Sequence, residues 1–552
     1  MSRRVEAAQA ALLVLAAVLP FEVEQGVPVG PFSLTTTEAA LYAMLVLWAV
    51  AQAPRWGAPW SRLHTCTLAW SGASLASAAL AAVEPAAALK FALRVLAGCA
   101  AFFAAADLCV SQQVRSRVAL ALITGAAIAG LAAFGEVAAP GMARALLVFK
   151  PTTFHAEGLL RASGSFPYPN VAAAYQAAIL GLALAWAARN PASRLARAAS
   201  LASLLVLIAA IVLSGSRTGI GVAIIVMIGL WLSDRRGALG LRRLAALGLV
   251  GLTALVAAGI VAQPGLAARF RLRGDGPWYR ADYVPEVATL SLGAGERISM
   301  RVDVRNRGAI DWLSAGRGAV LIGSSWSDAL GRVVAEGPQA PLPIDVPQDA
   351  AATVEVPVRA PETPGAYTLG WQIGPPGLTW GSALGSHAGQ VLVRVEPAAA
   401  GAGLSAPQGR RPIQRQATRF ELWRVGLEMW RARPLTGVGP DNFRRLYAGY
   451  LGPKPLDERV RTNNVYVGAL AETGLLGGLA LVSLLGALVQ LAVSALRARR
   501  PSKHALEVVG PTAALAALLL HGLLDDLFHM TATATLFWLL AGLLVGSVRK
   551  QR

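Results

Sequence analysis

Apolar runs recur along almost the whole chain, and they constrain its fold more than any other feature. Each run is long enough, or nearly long enough, to cross the ~30 Å hydrocarbon core of a bilayer. Since 55% of the residues are hydrophobic and only 15% are charged, an integral membrane protein is indicated and a soluble enzyme is excluded. The runs predict about twelve transmembrane helices, near residues 8–24, 37–53, 64–83, 88–110, 117–139, 171–187, 199–214, 218–233, 243–263, 468–496, 508–525 and 531–547.

Basic residues predict the orientation of these helices, because short loops rich in Lys and Arg stay on the cytoplasmic side. Alternate loops carry such residues, from Arg3 at the start to Arg549 near the end, whereas the loops between them carry acidic residues such as Glu84. We therefore expect a multi-pass protein of the cytoplasmic (inner) membrane with both termini in the cytoplasm. The extracytoplasmic parts would then be segment 264–467, the polar segment 140–170 and the turn that contains Arg217.

The pattern of apolar, β-branched and linker-like stretches divides the chain into parts. The predicted parts are a membrane domain of about nine helices over 1–263, an outer connector over 264–283, a β-sandwich over 284–396, a linker over 397–416, an extracytoplasmic amphipathic helix with a substrate loop over 417–467, and a membrane domain of about three helices over 468–552.

Segment 284–396 consists of short, alternating, β-branched runs separated by Gly, Pro, Asp and Asn, which is typical of an antiparallel sandwich. Its strings "NRGAIDW" and "PETPGAYTLGWQI" resemble those of immunoglobulin-like modules. The predicted fold class is thus an all-α polytopic membrane protein with an inserted extracytoplasmic all-β, immunoglobulin-like sandwich. The module's tryptophans could stack on sugar rings, but a core position is favoured for Trp312, Trp326, Trp371 and Trp380.

An amphipathic helix is predicted after the linker. Apolar side chains recur there every three or four residues, at Phe420, Trp423, Leu427 and Trp430. Arginines occupy much of the remaining surface, so we expect this helix to lie along the outer boundary between membrane and water. The string "PLTGVGP", residues 434–440, predicts a tight turn after the helix.

Two outward-facing arginines stand beside small polar residues. Arg161 precedes the string "ASGSFPYPN". In one interpretation Asn170 caps the next helix and Arg161 lies in the interface with lipid phosphates, and in the other Arg161 binds a substrate phosphate. Arg217, in "SGSRTG", lies beside the start of a helix, where backbone N–H groups and a guanidinium can bind one anion together. The alternative for Arg217 is a long side chain that reaches the interface from a helix end.

Two further groups of polar residues flank the return to the membrane. Asp441 and Glu472 are possible bases, although Glu472 could instead interact with a helix start. Arg461 adds positive charge nearby. A cluster of acidic residues and histidines follows, for which helix capping and structural hydrogen bonds are favoured over a metal because no ligand motif is complete: His521, Asp525, Asp526 and His529.

Taken in order, the strings "RASGSFPYPN", "SGSRTG", "WRVGLEMWRARPLTGVGPDNF", "TNNVYVGALAETGLLG" and "HGLLDD" resemble the O-antigen ligase and polymerase family of bacterial membrane glycosyltransferases. The resemblance covers roughly residues 150–545 apart from the β insert. It implies a GT-C-like membrane domain and an enzyme that works outside the cytoplasmic membrane.

The resemblance also implies the reaction and its partners. Family members transfer a glycan from an undecaprenyl-diphosphate carrier to an acceptor hydroxyl on lipid A core, on another glycan or on a protein. They need no cofactor, metal or nucleotide sugar, and they contact membrane lipids but no nucleic acid. Arg161 and Arg217 match arginines that family members place at the diphosphate, and Arg461 is a third candidate for that role. Fixed guanidinium groups can stabilise the departing diphosphate.

The chain departs from the family pattern at Asn463, where many members have a histidine that assists the acceptor hydroxyl. Asparagine can orient a hydroxyl but cannot take its proton at neutral pH. Another base could serve, with Glu472, Asp441 and His155 as candidates, or positioning and leaving-group stabilisation could suffice. Two other functions stay open: a flippase that moves a lipid-linked glycan without chemistry, and a scaffold in polysaccharide assembly.

Overall fold

The computed structural model describes residues 3–29, 32–52, 60–80, 84–151, 153–156, 159–189, 193–234, 240–262, 266, 279–308, 311–315, 319–328, 333–374, 389–397, 419–451, 460–497 and 505–549. The chain divides into two compact units. The helical unit comprises 1–154, 161–257 and 417–552, and the β-rich unit comprises 155–160 and 258–416.

Helices coincide with all twelve apolar runs of the sequence. The helices are α1 (Arg3–Val18), α2 (Thr36–Gln52), α3 (Arg62–Ala79), α4 (Pro85–Leu108), α5 (Gln112–Ala138), α6 (Pro140–Ala145), α7 (Pro169–Ala188), α8 (Arg194–Leu213), α9 (Arg217–Ser233), α10 (Leu241–Ala262), α11 (Arg419–Ala432), α12 (Phe443–Leu451), α13 (Val465–Arg497), α14 (Leu506–His521) and α15 (Thr531–Arg549). A short 3₁₀ turn follows α6 at Leu146–Val148.

Among the described residues, seven helices are long and apolar enough to cross a membrane: α4, α5, α7, α8, α10, α13 and α15. Three shorter apolar helices, α2, α9 and α14, fall below that length. A mostly helical chain with several such segments is consistent with a polytopic membrane protein. The full set of twelve spans stays a prediction.

Helix α7 lies at the centre of the helical unit, and most of its side chains are buried. It is rich in alanine and contains one glycine, Gly181, and such small residues let neighbouring backbones approach closely. A Cβ added at Gly181 would lie 2.9 Å from Ala513 of α14, and one added at Gly510 of α14 would lie 3.0 Å from Leu182. This small-residue contact holds the C-terminal helices against the middle of the chain.

Several charged side chains buried in the helical unit form ion pairs. Arg115 on α5 lies 2.6 Å from Glu507 on α14, and Arg189 lies 3.3 Å from the other oxygen of the same carboxylate. The completely buried Lys150 and Glu136 are 2.6 Å apart. An isolated buried charge costs several kcal/mol, roughly, so each partner depends on the other.

The β-rich unit contains two sheets that share one apolar core. The strands are β1 (Val27–Val29) and β2 (Phe32–Leu34) in the helical unit, then β3 (Phe154–Ala156), β4 (Leu159–Arg161), β5 (Ala281–Pro285), β6 (Thr289–Gly293), β7 (Arg297–Asn306), β8 (Leu321–Ser327), β9 (Val333–Glu336), β10 (Ala340–Pro341), β11 (Ala351–Arg359), β12 (Gly365–Gly374) and β13 (Val391–Glu396). One sheet has the order β10-β8-β12-β13-β6 with β9 paired to β8, and the other has the order β11-β7-β5.

Alternating side chains explain why these strands form a sandwich. Along β11 every second residue is buried, and Val354 lies opposite Val302 of β7 in the antiparallel register. Trp312, Trp326 and Trp371 lie in the same core, as the core interpretation predicts. Trp380 and nearly all of the predicted linker 397–416 lie outside the described residues. The sheets form a sandwich, and its immunoglobulin-like character stays a prediction.

Helix α11 carries two apolar faces. Leu422, Val425 and Met429 are buried in a cluster with residues of α12. The opposite face leaves Phe420 78% exposed and Leu427 37% exposed. The helix is thus anchored by one face and presents apolar side chains on the other, as an interfacial helix would.

Candidate active site

Helix α13 is broken near its start, and the break positions the candidate site. Gly474 has φ 62° and ψ −159°, a backbone conformation that essentially only glycine adopts. A Cβ at Gly474 would lie 2.4 Å from the backbone of Leu435, and one at Gly437 would lie 2.4 Å from the backbone of Glu472. The turn 434–440 therefore packs directly against the opened helix.

Backbone hydrogen bonds join this turn to the break. The amides of Val438 and Gly439 donate to the carbonyls of Ala471 and Glu472 (3.0 and 2.9 Å), and the amides of Leu475 and Leu476 donate to the carbonyls of Pro434 and Leu435 (2.8 and 3.1 Å). The backbone groups that the break releases are thus satisfied by the turn. The strings "PLTGVGP" and "AETGLLGG", which are separate in sequence, form one structural unit.

Glu472 lies at the break and contacts a histidine from the turn after α14. Its Oε2 is 3.1 Å from Nε2 of His529, and Nδ1 of His529 is 2.7 Å from Oδ1 of Asp526. The Glu472 Oε1 accepts a hydrogen bond from the Phe443 amide at 3.3 Å. The His529 ring stacks on Phe91 of α4 with the ring centroids 4.4 Å apart. We call these three ionisable residues the Glu472–His529–Asp526 cluster.

The two carboxylates make His529 a strong base. Burial and the positive charge of Arg461 lower the pKa of His529, but the charges of Asp526 and Glu472 outweigh them and raise this pKa to about 9. All three side chains of the cluster are only 5–6% exposed. At neutral pH the ring is therefore protonated, and each of its nitrogens can donate a hydrogen bond to one of the two carboxyl groups.

The segment before α13 adds polar contacts to the cluster. The Thr462 hydroxyl lies 3.4 Å from the second oxygen of Asp526 and 2.9 Å from the carbonyl of Asn464. The Asn464 side chain caps α13 by accepting hydrogen bonds from the amides of Tyr466 and Val467, both at 3.0 Å. Asn463 has a φ of 50°, a left-handed conformation that asparagine tolerates.

Asp441 is held by two arginines. Arg444 binds both carboxylate oxygens at 2.9 and 2.8 Å, and Arg461 binds one of them at 2.8 Å. Burial raises the pKa of Asp441, but its contacts with Arg444, Arg461 and His529 prevail and lower it to about 2. Asp441 is consequently a weak base that positions Arg461 next to the cluster.

Arg161 connects motifs that lie far apart in the sequence. Its guanidinium donates to the carbonyl of Ser214 at 3.0 Å and to the side chain of Asn170 at 2.7 Å. Asn170 in turn donates to Asp525 at 3.1 Å, and the other oxygen of Asp525 is 3.0 Å from Nε2 of His521. The expectation that Asn170 caps its helix is wrong, because Tyr168 is the N-cap residue and Asn170 lies inside α7.

Arg217 is the first residue of α9 and its side chain is exposed. Ser216 caps the helix by accepting a hydrogen bond from the Gly219 amide at 3.2 Å. Since Arg161 binds Ser214, both arginines belong to the same turn region. Within the described part of the chain, Arg217 has no ion-pair partner, so its charge is available to an anion.

The buried Lys150–Glu136 pair supports the turn after Arg161. The amides of Ser163 and Gly164 donate to Glu136 at 3.1 and 2.9 Å, and Lys150 donates to the Ser163 hydroxyl at 3.0 Å. The backbone of this turn is therefore fixed by a charged pair with no exposure to solvent.

The structure brings together some predicted site residues and not others. Glu472 belongs to the cluster, and Asp441 and Arg461 lie beside it. Arg161 lies in a network through Asp525, whose neighbour Asp526 belongs to the cluster. His155 lies in β3, and its side chain is outside the described residues.

Sequence reasoning did not include His529 and Asp526 among the site residues. The string "HGLLDDLFH" contains both residues, but the sequence alone favours helix capping and structural hydrogen bonds for them. Among the described residues, the structure contains no group of histidine, cysteine, aspartate and glutamate that is arranged to hold a metal ion.

Residues 410–482 match the family model described as O-antigen ligase. The match spans α11, α12, the turn 434–440, Asn463 and Glu472, so it covers the break in α13 and one of the three cluster residues. It supports the family resemblance and a role in joining or polymerising glycans. No curated protein matches the chain significantly.

One similar solved structure is the CARDB domain of the PF1109 protein from Pyrococcus furiosus, determined in complex with di-metal ions. It is 10% identical to the aligned region, which covers 23% of this chain and 94% of that chain, and the TM-score is 0.14. A similarity of this size establishes neither a shared fold nor a shared ligand.

Proposed function

We propose that the protein transfers or polymerises a surface glycan on the outer face of the cytoplasmic membrane. The donor would be an undecaprenyl-diphosphate-linked glycan, and the acceptor a hydroxyl of a glycan, of lipid A core or of a protein. One observation carries the proposal: the segment that matches O-antigen ligase delivers Glu472 into a buried cluster with His529 and Asp526, beside Arg461.

Three arginines are the proposed ligands of the donor diphosphate. Arg217 is exposed beside a helix start, Arg161 is tied to the same turn, and Arg461 stands next to the cluster. Guanidinium groups fixed before the reaction stabilise the charge that develops on a departing diphosphate without reorganising. These residues would serve the leaving group, and no resident metal is required by this scheme.

Glu472 is the proposed base. Its carboxylate has one cationic side-chain partner, His529, and one backbone donor, Phe443, whereas Asp441 is held by two guanidinium groups. Asn463 cannot accept a proton at neutral pH. In the proposed step the acceptor oxygen forms a bond to the anomeric carbon. The bond from that carbon to the diphosphate oxygen breaks and leaves its electron pair on the diphosphate, while the hydroxyl proton passes to Glu472.

The test uses the full-length protein in lipid nanodiscs with an undecaprenyl-diphosphate glycan extracted from cells that lack this gene. We expect wild-type protein to release undecaprenyl diphosphate and Glu472→Gln to release at least a hundredfold less, as is usual for loss of a general base. The matched control is Glu428→Gln, because Glu428 is a partly exposed residue of α11 that pairs with Arg424.

Two results would refute this proposal. Equal release by wild type and Glu472→Gln would remove Glu472 from the mechanism. Translocation of the lipid-linked glycan across proteoliposomes without any bond cleavage would favour the flippase over the enzyme.

A further inference from the structure

A cavity lies between α5, α7, α14 and α15, at the end of α14 that is opposite to the candidate active site. Glu507, in the first turn of α14, lines this cavity, whereas His521, the last residue of that helix, contacts Asp525 next to the Glu472–His529–Asp526 cluster. Since an α-helix rises about 1.5 Å per residue, these two ends are about 20 Å apart. The cavity is therefore separate from the groups that the proposed reaction uses.

The charges at this cavity do not balance. Among the described residues of its wall, the charged ones are Arg115, Arg189 and Glu507, so two guanidinium groups share one carboxylate. Nε and Nη2 of Arg115 bind Oε2 of Glu507 at 3.0 and 2.6 Å, whereas Arg189 approaches Oε1 only to 3.3 Å. One positive charge therefore remains at a place where burial makes an uncompensated charge costly.

Arg189 is the group that can bind a further partner. The Arg115 side chain is only 6% exposed, and its Nη1 also donates to three backbone carbonyls. The Arg189 side chain is 21% exposed, and among the described residues it contacts Glu507 and donates a hydrogen bond to the Ser116 hydroxyl at 2.9 Å. Burial lowers the pKa of Arg189, the charge of Glu507 raises it and that of Arg115 lowers it, with a lowered pKa as the result. Glu507 thus does not fully compensate the charge of Arg189.

The cavity is accessible at the end of α7. Of the described lining residues, Trp186 and Arg189 are the ones that are not buried, and the guanidinium carbon of Arg189 lies 5.1 Å from the centre of the Trp186 ring. Tryptophan and arginine at the end of an apolar helix are typical of the boundary between the hydrocarbon core and the lipid headgroups. A ligand that reaches Arg189 from this side is therefore at the depth of lipid phosphates.

We propose that this cavity binds the headgroup of an anionic phospholipid, with the lipid phosphate at Arg189. A guanidinium binds a phosphate through charge-assisted hydrogen bonds, and the net negative charge of the lipid would balance the positive charge that Glu507 leaves. A soluble phosphate offers the same charge but no acyl chains to pack beside Trp186. The predicted orientation places this end of α7 at the cytoplasmic leaflet, which attracts basic groups through its anionic lipids. The inference goes beyond the proposed function and does not depend on it.

The test measures lipid binding to the full-length protein in a non-ionic detergent, by thermal unfolding and by native mass spectrometry. The probes are phosphatidylglycerol, phosphatidylcholine with the same acyl chains, and inorganic phosphate. Arg189→Gln removes the unbalanced charge and leaves Glu507 paired with Arg115. The matched control is Arg194→Gln, because Arg194 is an exposed arginine at the start of α8, the next helix, and lies outside the lining.

We expect phosphatidylglycerol to raise the unfolding temperature of wild type and of Arg194→Gln, because a ligand that binds the folded state stabilises it. Arg189→Gln should bind phosphatidylglycerol about tenfold more weakly or worse, as is usual when hydrogen bonds to a charged group are lost. Phosphatidylcholine and inorganic phosphate should leave the unfolding temperature of wild type unchanged. If Arg189→Gln fails to fold, Trp186→Leu replaces it and should also weaken binding, since it removes the ring beneath the guanidinium.

Three results would overturn the assignment. Equal affinities of wild type and Arg189→Gln for phosphatidylglycerol would place the lipid elsewhere on the protein. Equal stabilisation by phosphatidylcholine would show that the net charge of the headgroup is not recognised. Stabilisation by inorganic phosphate alone would make the cavity a site for a soluble anion. None of these measurements involves glycan transfer, so failure of this inference and failure of the proposed function are distinguishable.

Discussion

Replacing Gly474 with alanine tests whether the broken helix depends on that glycine. The φ and ψ of Gly474 fall in a region that costs other residues about 1–3 kcal/mol. The added Cβ would also lie 2.4 Å from the Leu435 backbone, which is too close for two non-bonded carbons, so the turn 434–440 would have to move. We expect Gly474→Ala to lower the free energy of unfolding by about 2–4 kcal/mol.

The same helix provides the control. Gly486 has ordinary helical geometry and open space around its Cα, so Gly486→Ala should be neutral or stabilise α13 by about 0.5–1 kcal/mol. Both variants are compared by thermal unfolding in detergent and by release of undecaprenyl diphosphate. Gly474→Ala should also lose activity, because the Glu472 carbonyl and the turn would separate. If Gly474→Ala unfolds at the temperature of Gly486→Ala and stays active, the break does not depend on a glycine.

Three further predictions follow from charged residues. The pKa of His529 is about 9 in the folded protein and 6.5 in the unfolded chain, so its stabilisation is complete below pH 6.5 and is lost as pH rises through 9. His529→Gln should therefore lower the free energy of unfolding by about 3 kcal/mol at pH 6 and flatten the dependence of the unfolding temperature on pH between 6.5 and 9.5. Parallel plots of unfolding temperature against pH for the variant and the wild type would contradict this prediction. Arg217→Ala should change the free energy of unfolding by less than about 0.5 kcal/mol and yet abolish release of undecaprenyl diphosphate. Arg161→Ala should lower both the free energy of unfolding and the release of undecaprenyl diphosphate, because Arg161 binds Ser214 and Asn170. Equal losses of stability in the two variants would show that Arg217 is structural. Lys150→Met should cost about 3–5 kcal/mol by leaving Glu136 unpaired, and the double variant with Glu136→Gln should recover much of that loss in thermal unfolding.

Much of the fold follows from local pattern in the sequence. Each apolar run contains a helix, because a helix satisfies the backbone N–H and C=O groups of such a run within the run itself. The alternating segment forms two sheets with Trp312, Trp326 and Trp371 inside, because tryptophan in a small sandwich buries large apolar area. The amphipathic helix after the linker also forms, but its buried face is not the one expected from Phe420, Trp423, Leu427 and Trp430. The structure buries Leu422, Val425 and Met429, and it leaves Phe420 and Leu427 exposed.

The candidate site is less predictable because distant contacts decide it. Residues 468–496 read as one apolar run, and the break at Gly474 exists only because the turn 434–440 supplies hydrogen bonds to it. Asn170 fits a capping position by sequence, but its side chain bridges Arg161 and Asp525. Similarly, the sequence indicates Asp441 as a possible base, but in the structure two arginines bind its carboxylate and make it a weak base.

The ion pair of Arg115 with Glu507 has a consequence for synthesis of the chain. Arg115 is synthesised early, as part of α5, but its buried partner Glu507 lies on α14, close to the C-terminus. Until the ribosome has made that helix, Arg115 has to keep its charge hydrated or neutralised in another way. Glu472 is likewise synthesised before its partner His529. A nascent chain that stops before residue 506 therefore lacks both Glu507 and His529, and Arg115 and Glu472 are left without these contacts.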